Sequence, residues 1–500
     1  MNIGLGKDMP KAINADTEQT EFAESTESNM RFKYIVPVVL LVTAFIIRLV
    51  ALFFVTPIDF RWESYHYWQI AFYTLRVGIS YGRMWDLGGM EYFWGPLPIL
   101  AQSFLLYVLG TTSELPFRVL NGIVGSVTVY LVYVVARRHF NGTAGFLAAV
   151  MVMLFPLLIF NSVIGMEETM GSFFIMLALN FFNRRNFFFG FFLGLASLCR
   201  IEFWPLSIGL CVSYLIFGKN STGLVESIIG WLTPMVPYFI HVRGTTGDPF
   251  YAFYWNFIGN IAGVWTPWYV DPIIRTLFGV VLIGSIAGLL LLLKYRGRVQ
   301  GYMLYALFLG FLAYHGLTYV LGGVAPLFDR LFVLDVMVGF ILVGRYVARM
   351  PHSKVVGVVI CILVTSSVIY AAPYYVGLQS DILGLYKIAD VVGPAYTGGT
   401  ILCDMPMITY RLVDHWHVSY ERILGTLYMP LEDLHGALSW LRSNNASWIV
   451  VAEPKAQKVI AFFHETLQVK FDKLFTRYYS FSGAELYRID EAYIEEILGA

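Results

Sequence analysis

Charge is scarce in this 500-residue chain: 14% of residues are Asp, Glu, Lys or Arg, against 57% hydrophobic. Acids and bases balance at 34 each, so no basic excess exists to bind a nucleic-acid backbone. Cysteine is rarer still. Cys199, Cys211, Cys361 and Cys403 form no CxxC pair and three lie in apolar runs, which excludes a disulfide framework or zinc finger and predicts buried, inert thiols. No internal repeat is visible. The mean hydropathy of +0.64 is too high for a soluble core of this length, which leaves the bilayer as solvent.

What is present is a series of long apolar runs. Residues 1–30 are polar and acidic and read as a disordered cytosolic tail, with no cleavable signal peptide. Taking roughly 20 residues per crossing, and shorter pieces where neighbours shield them, we expect an α-helical polytopic membrane protein of about eleven spans. They are Tyr34–Val55, Phe117–Val135, Gly145–Ile164, Met170–Phe182, Phe187–Leu198, Phe203–Phe217, Leu224–His241, Ile273–Leu293, Tyr302–Leu321, Leu331–Val347 and Val355–Tyr370. Pro96–Leu109 is expected to be a helix lying on or dipping into the outer surface, within a first outer loop of about 56–116, and the run 187–217 to break at Arg200. These two choices put Arg31/Lys33, Arg137/Arg138, Arg184/Arg185, Lys219, Lys294/Arg296/Arg298 and Arg345/Arg349/Lys354 on the cytoplasmic side, as basic loops require. The membrane domain then covers residues 31–375. Residues 380–500 carry most of the remaining charge and read as a small extracytoplasmic α/β domain, with strands at Thr400–Cys403 and Trp448–Ala452 and helices at Leu431–Leu441 and Lys455–Leu467. The expected location is the plasma membrane, with the N-terminus cytoplasmic and the C-terminal domain outside.

With that orientation the ionisable residues gather at one interface: Asp59, Glu63, Asp86, Glu91, Glu167, Glu168, Arg200, Glu202, His241, Arg243, Asp248, Asp271, Asp329 and Arg330. Charge at the edge of hydrocarbon costs several kcal/mol unless solvated or paired, so such a gathering points to a functional site. Glu63 sits in Trp62-Glu63-Ser64-Tyr65-His66-Tyr67-Trp68, where a carboxylate can take a proton from a hydroxyl and rings can stack on a sugar. Asp59 is the alternative base; a solvated loop acid is the bland reading of either. Glu167 and Glu168 open a helix, where the dipole favours acids. They can equally orient a substrate, or hold a divalent cation such as Mg or Mn through carboxylate oxygens. Arg200 and Arg330 stand at outer helix ends and can grip a lipid phosphate through parallel donors, or simply pair with Glu202 and Asp329.

The order and spacing of these motifs resemble the GT-C superfamily of membrane glycosyltransferases, in particular glycosyltransferase family 39 and the dolichyl-phosphate-mannose–protein mannosyltransferases. The acid-x-x-aromatic pattern appears as Glu63-Ser-Tyr-His66-Tyr-Trp, with Ser64 where the family's second acid usually stands. Trp94-Gly-Pro96-Leu97, Phe117-Arg118-Val-Leu-Asn, Phe155-Pro-Leu-Leu-Ile-Phe-Asn-Ser162 followed by Glu167-Glu168, Arg200-Ile-Glu202-Phe-Trp204 and Asp329-Arg330-Leu-Phe resemble later family segments in order. The resemblance implies transfer of one sugar from a polyprenyl- or dolichyl-phosphate donor to an extracytoplasmic protein, lipid or glycan, with inversion. Glu63, Asp59 and Glu168 would be catalytic and Arg330 and Arg200 would bind the donor phosphate. His66, Glu167, Glu202 and Trp94 would line the substrate. The Trp-Trp-Asp motif of oligosaccharyltransferases is absent, which argues against en bloc transfer to Asn. The competing class is a transporter or lipid flippase without chemistry; such proteins place their charges near the midplane and show repeats, neither of which is seen here.

Overall fold

The computed structural model describes residues 35–77, 94–213, 221–253, 304, 329–426, 429–452, 454–481 and 483–499. The expected tail at 1–30, the spans Ile273–Leu293 and Tyr302–Leu321, and Asp86, Glu91 and Asp271 lie outside them.

The architecture is mainly helical, with a small mixed sheet near the C-terminus. Helix α1 runs Ile35–Val55, widening to a π-turn over Ala51–Val55. It is followed by α2 (Trp62–Val77), α3 (Pro96–Leu109), α4 (Leu115–His139), α5 (Gly142–Leu154), α6 (Pro156–Asn161), α7 (Glu168–Phe181), α8 (Asn186–Cys199), α9 (Phe203–Ser213) and α10 (Ser221–Thr246). Two further helices, Val333–Val347 and Ser353–Ala395, lead to the sheet. Among the described residues, four helices are long and apolar enough to cross a membrane: Ile35–Val55, Leu115–His139, Ser221–Thr246 and Val355–Ala395. Val38, Val42, Ile46 and Phe54 on α1, and Val358, Ile362, Leu363 and Ile369 on the last of these, are exposed, as side chains facing lipid should be.

The helix at Pro96–Leu109 and the break at Arg200 both occur as expected from the sequence. At Arg200 the backbone turns extended (φ −148°, ψ 142°) between α8 and α9. Two other expectations need correction. The run Gly145–Ile164 is not one span: it breaks at Phe155, whose backbone is extended (ψ 126°) because Pro156 disfavours the helical region for the residue before it. Nor does the last apolar helix stop at Tyr370. It continues to Ala395, 43 residues from Ser353, or about 65 Å at 1.5 Å per residue. That exceeds a bilayer core of about 30 Å, so the helix is longer than one crossing requires. Pro373 is accommodated inside it. The boundary expected near 375–380 therefore falls within a continuous helix.

The sheet has strands β1 (Thr400–Leu402), β2 (Ile423–Leu424), β3 (Ala446–Val451), β4 (Phe475–Phe481) and β5 (Ala484–Ile489), in the order β2-β1-β3-β5-β4. β1 pairs parallel with β2 and β3, while β5 runs antiparallel to β3 and β4. β3 is buried on both faces, which explains its unbroken apolar run. Ile449 and Val451 pack under helices Leu434–Ser443 and Pro454–Leu467. Trp448 and Val450 share a second core with helix Pro406–Asp414, the top of the 43-residue helix, and Tyr65 and Trp68 of α2. That second core joins the sheet to the first outer loop.

Within the helical bundle, small residues set the closest approaches. A Cβ on Gly190 would lie 1.8 Å from the Ser227 carbonyl oxygen, so α8 and α10 meet at backbone distance.

Candidate active site

The site is assembled from four separated segments. Asp59 starts the first. Its Oδ1 accepts from the Arg61 amide at 3.0 Å, a local turn that leads into α2 and places Glu63 in that helix's first turn. The second is the link from α6 to α7, residues 162–167, whose carbonyls are gathered by α4. Arg118 donates to Val163 (2.8 Å), and Asn121, one turn along, donates to Ile164 (2.7 Å) and Met166 (2.8 Å). Glu167 and Glu168 then open α7, where the helix dipole favours acids. The third is the α8–α9 break carrying Arg200 and Glu202. The fourth is the 3-10 turn Asp329–Phe332, which presents Arg330.

These segments meet in one buried ionic cluster. The Arg330 Nη1 stands 3.1 Å from Glu63 Oε1, and its Nε 3.4 Å from Glu168 Oε1. Arg200 Nη1 donates to both Glu167 (2.8 Å) and Glu168, while its Nε and Nη2 grip Glu202 at 3.1 and 2.6 Å. Glu63, Glu168 and Arg330 are only 3%, 2% and 6% exposed. Burial raises the Glu167 carboxyl to about 7, with Glu168 adding to the rise and Arg200 opposing it. For Glu202 the order reverses in effect: burial pushes the carboxyl up, but the paired Arg200 charge leaves it below the usual range.

Asp59 faces elsewhere. Its Oδ2 accepts from the Gly165 amide at 2.7 Å and lies 3.9 Å from Arg118. Burial raises its carboxyl, against the pull of Arg118 and the two amides. Oδ1 thus closes the local turn, and Oδ2 staples the first outer loop to the 162–167 link. Gly165 is the small residue at that contact; a Cβ there would sit 3.3 Å from Ser64.

An aromatic wall borders the cluster. The His66 ring lies 5.1 Å from Trp62 and 5.9 Å from Trp94, and Tyr67 packs 5.1 Å from Trp94 with its hydroxyl against Glu167. Trp94 is held there by Gly95, whose Cβ would fall 2.2 Å from the Leu198 and Cys199 carbonyls at the end of α8. Arg243 and Asp248, at the far end of α10, are exposed and outside the cluster. Among the described residues no three His, Cys, Asp or Glu side chains meet as a metal-holding group; the acids meet guanidinium groups instead.

Residues that the motifs left without a role hold this arrangement together. Arg118 and Asn121 are polar residues three apart inside an apolar span, a pattern visible in the sequence. Gln379 and Tyr386 also grip the outer loop, and nothing in their local sequence marks them.

Three comparisons bear on this geometry. Residues 95–243 match the family model described as dolichyl-phosphate-mannose-protein mannosyltransferase. The fold is similar to ArnT from Cupriavidus metallidurans bound to undecaprenyl phosphate: TM-score 0.58 at 12% identity, covering 90% of this chain and 97% of that one. It is also similar to the archaeal oligosaccharyltransferase AglB from Archaeoglobus fulgidus, in complex with an inhibitory peptide and a dolichol-phosphate. There the TM-score is 0.52 at 13% identity, over 92% of this chain and 75% of that one. No curated protein matches by sequence. The resemblance expected from the motifs is matched over residues 95–243 by that family model, and in fold alone by these two structures.

Proposed function

Taking the chain as a glycosyltransferase of the protein-mannosyltransferase and ArnT type, we propose that it moves one sugar from a polyprenyl-phosphate donor to an acceptor on the outer face of the membrane, inverting the anomeric carbon. The observation that carries this reading is the single Arg330 guanidinium ion-paired with both Glu63 and Glu168, at 3.1 and 3.4 Å.

In this mechanism the acceptor hydroxyl attacks the anomeric carbon as its proton passes to Glu63, and the sugar–phosphate bond breaks with its electron pair leaving on the lipid phosphate. Glu63 is preferred to Asp59 as base because both Asp59 oxygens already accept from backbone amides. Arg330, with Arg200 behind it, stabilises the departing phosphate; preorganised donors of this kind contribute on the order of 3–4 kcal/mol each. Glu168 holds the two guanidinium groups at a fixed separation. His66, half-buried beside Trp94, offers a ring face for a sugar, while the fully buried Tyr67 backs Trp94.

The outward orientation is supported by the helix ends. Arg138 donates to the Asn180 and Phe182 carbonyls at the end of α7 opposite Glu168, and the neighbouring basic residues Arg137, Arg184 and Arg185 gather at that same end. By the rule that basic loops stay cytoplasmic, the ionic cluster faces out.

The test is Glu63→Gln in the purified full-length protein, given undecaprenyl-phosphate-linked sugars and acceptor-bearing membrane extract. Transfer should fall on the order of 10²–10⁴-fold while undecaprenyl phosphate still binds. Turnover at the wild-type rate would remove Glu63 from the chemistry.

A further inference from the structure

The turn leading into α2 is held at most of its polar backbone atoms, and two of the groups holding it come from more than 300 residues away. Gln379 is 5% exposed. Its Nε2 donates to the Val55 carbonyl at 2.8 Å and its Oε1 accepts from the Ile58 amide at 3.3 Å, so one side-chain amide closes both ends of the turn. Seven residues later, about two helical turns and thus on the same face, Tyr386 donates to the Tyr65 hydroxyl at 2.8 Å. Tyr65 in turn donates to the Asp59 carbonyl at 3.0 Å. Arg118 takes the Thr56 and Pro57 carbonyls at 2.5 and 3.0 Å. Buried backbone groups outside regular structure need partners, and here most of those partners are side chains.

We propose that Gln379 and Tyr386 are positioning residues for sugar transfer: the 43-residue helix clamps residues 55–59 and thereby fixes where the Glu63 carboxylate stands relative to Arg330. This rests on the reading of Glu63 as the base. Neither residue touches the reacting groups; they act through Val55, Ile58 and Tyr65. The chemistry of each contact is specific. A side-chain amide is a group that can accept from an N–H and donate to a carbonyl at the same time. Tyr65, two residues after Glu63, has its hydroxyl fixed as donor to Asp59 because Tyr386 supplies the hydrogen it accepts. The clamp also explains why the helix runs unbroken beyond the length of one crossing: Gln379 and Tyr386 keep register with each other only if it does. A catalytic side chain must be held to about 0.5 Å, and a turn pinned from two helices meets that demand.

Gln379→Glu and Tyr386→Phe test this with little change in shape. The ionised glutamate still accepts from Ile58 but cannot donate to Val55, so turnover is read at alkaline pH. The phenylalanine keeps the ring that lies 6.2 Å from Tyr65 and 6.5 Å from Tyr410 and loses only the hydroxyl. The probe is the undecaprenyl-phosphate-linked sugar that wild type turns over, with purified full-length protein. In each variant kcat should fall about 10- to 100-fold, the loss that follows a misplacement near 1 Å. KM for the donor should stay within about 2-fold, since Arg200 and Arg330 sit on other segments. Hydrogen exchange should rise across residues 55–66 and stay unchanged across 168–181. Wild-type kcat in both variants would overturn the proposal. So would a parallel loss of kcat, donor affinity and melting temperature, which would mean a general loss of fold. Glu63→Gln runs alongside: if it is inactive while the clamp variants are normal, only the clamp fails, and if it is fully active both readings fall.

Discussion

Replacing Arg330 by Lys keeps the positive charge and removes the fork. In the structure the guanidinium uses two nitrogens on two carboxylates, Nη1 at 3.1 Å from Glu63 and Nε at 3.4 Å from Glu168. An ammonium presents its donors from one nitrogen and cannot reproduce the two-nitrogen fork that meets both acids here. One buried carboxylate then loses a charge-assisted partner, a cost of about 1–3 kcal/mol to the fold. The leaving phosphate loses one of its aligned donors, a further 3–4 kcal/mol or so in the transition state. At 1.36 kcal/mol per tenfold, that second loss alone is a fall in kcat on the order of 10²–10³. Donor affinity should drop by much less, because the charge remains. The measurement is steady-state turnover of an undecaprenyl-phosphate-linked sugar by wild type and Arg330→Lys in the same detergent, with a melting curve to confirm folding. A folded Lys variant within about fivefold of wild type would show that charge alone suffices, and the fork geometry would carry no weight in the mechanism.

Two further outcomes follow from single contacts. Gly190→Ala drives a methyl into the Ser227 carbonyl, which a Cβ would meet at 1.8 Å. Because that neighbour is backbone, α8 and α10 must separate, and thermal unfolding should report a loss of about 1–3 kcal/mol; an unchanged melt would contradict the packing described. Glu167 bears on pH: its carboxyl is raised from 4.5 to about 7, chiefly by burial. The folded state then binds more protons than the unfolded one between those values, so stability due to this group is complete below pH 4.5 and declines as pH rises to about 7. Melting of Glu167→Gln compared with wild type from pH 4.5 to 8 should show the variant gaining relative stability across that window; a difference that is flat with pH would refute the assignment.

The cluster was legible in sequence because the bilayer makes charge expensive. Glu63, Glu167, Glu168, Arg200 and Arg330 interrupt apolar runs at places where an unpaired charge would be costly, so each had to be near the others or near water, and the basic loops gave one expected side for all of them. Asp59 looked equivalent to Glu63 by the same rule. What separates them is the Gly165 amide, 106 residues away, which no local pattern reveals. The break at Phe155 carried its signal, a proline within the run, yet continuous hydrophobicity reads as one span because apolarity does not record backbone direction. The length of the last helix was hidden for the converse reason. Hydropathy falls after Tyr370, but Asp381, Lys387 and Asp390 are compatible with helix, so leaving the membrane and ending the helix are separate events. Gln379 lies in this stretch, where nothing distinguishes it from a solvated side chain.

The balance of charge within the site carries one more consequence. Four carboxylates, Glu63, Glu167, Glu168 and Glu202, face two guanidinium groups, so the proposed anionic donor would meet a cluster already rich in acid. The two arginines are not equally committed. Arg200 spends Nε, Nη1 and Nη2 on three acids, with contacts as short as 2.6 Å to Glu202. Arg330 meets its two acids at 3.1 and 3.4 Å, longer and weaker contacts that a phosphate oxygen can replace at closer range. On the proposed mechanism Arg330 is therefore the ligand the donor captures and Arg200 the group that keeps Glu167, Glu168 and Glu202 in place. A phosphate that takes Arg330 Nη1 also releases Glu63, whose Oε1 that nitrogen had held. On that proposal the base would be freed by the arrival of its own leaving group, which would tie readiness for chemistry to occupancy of the donor site.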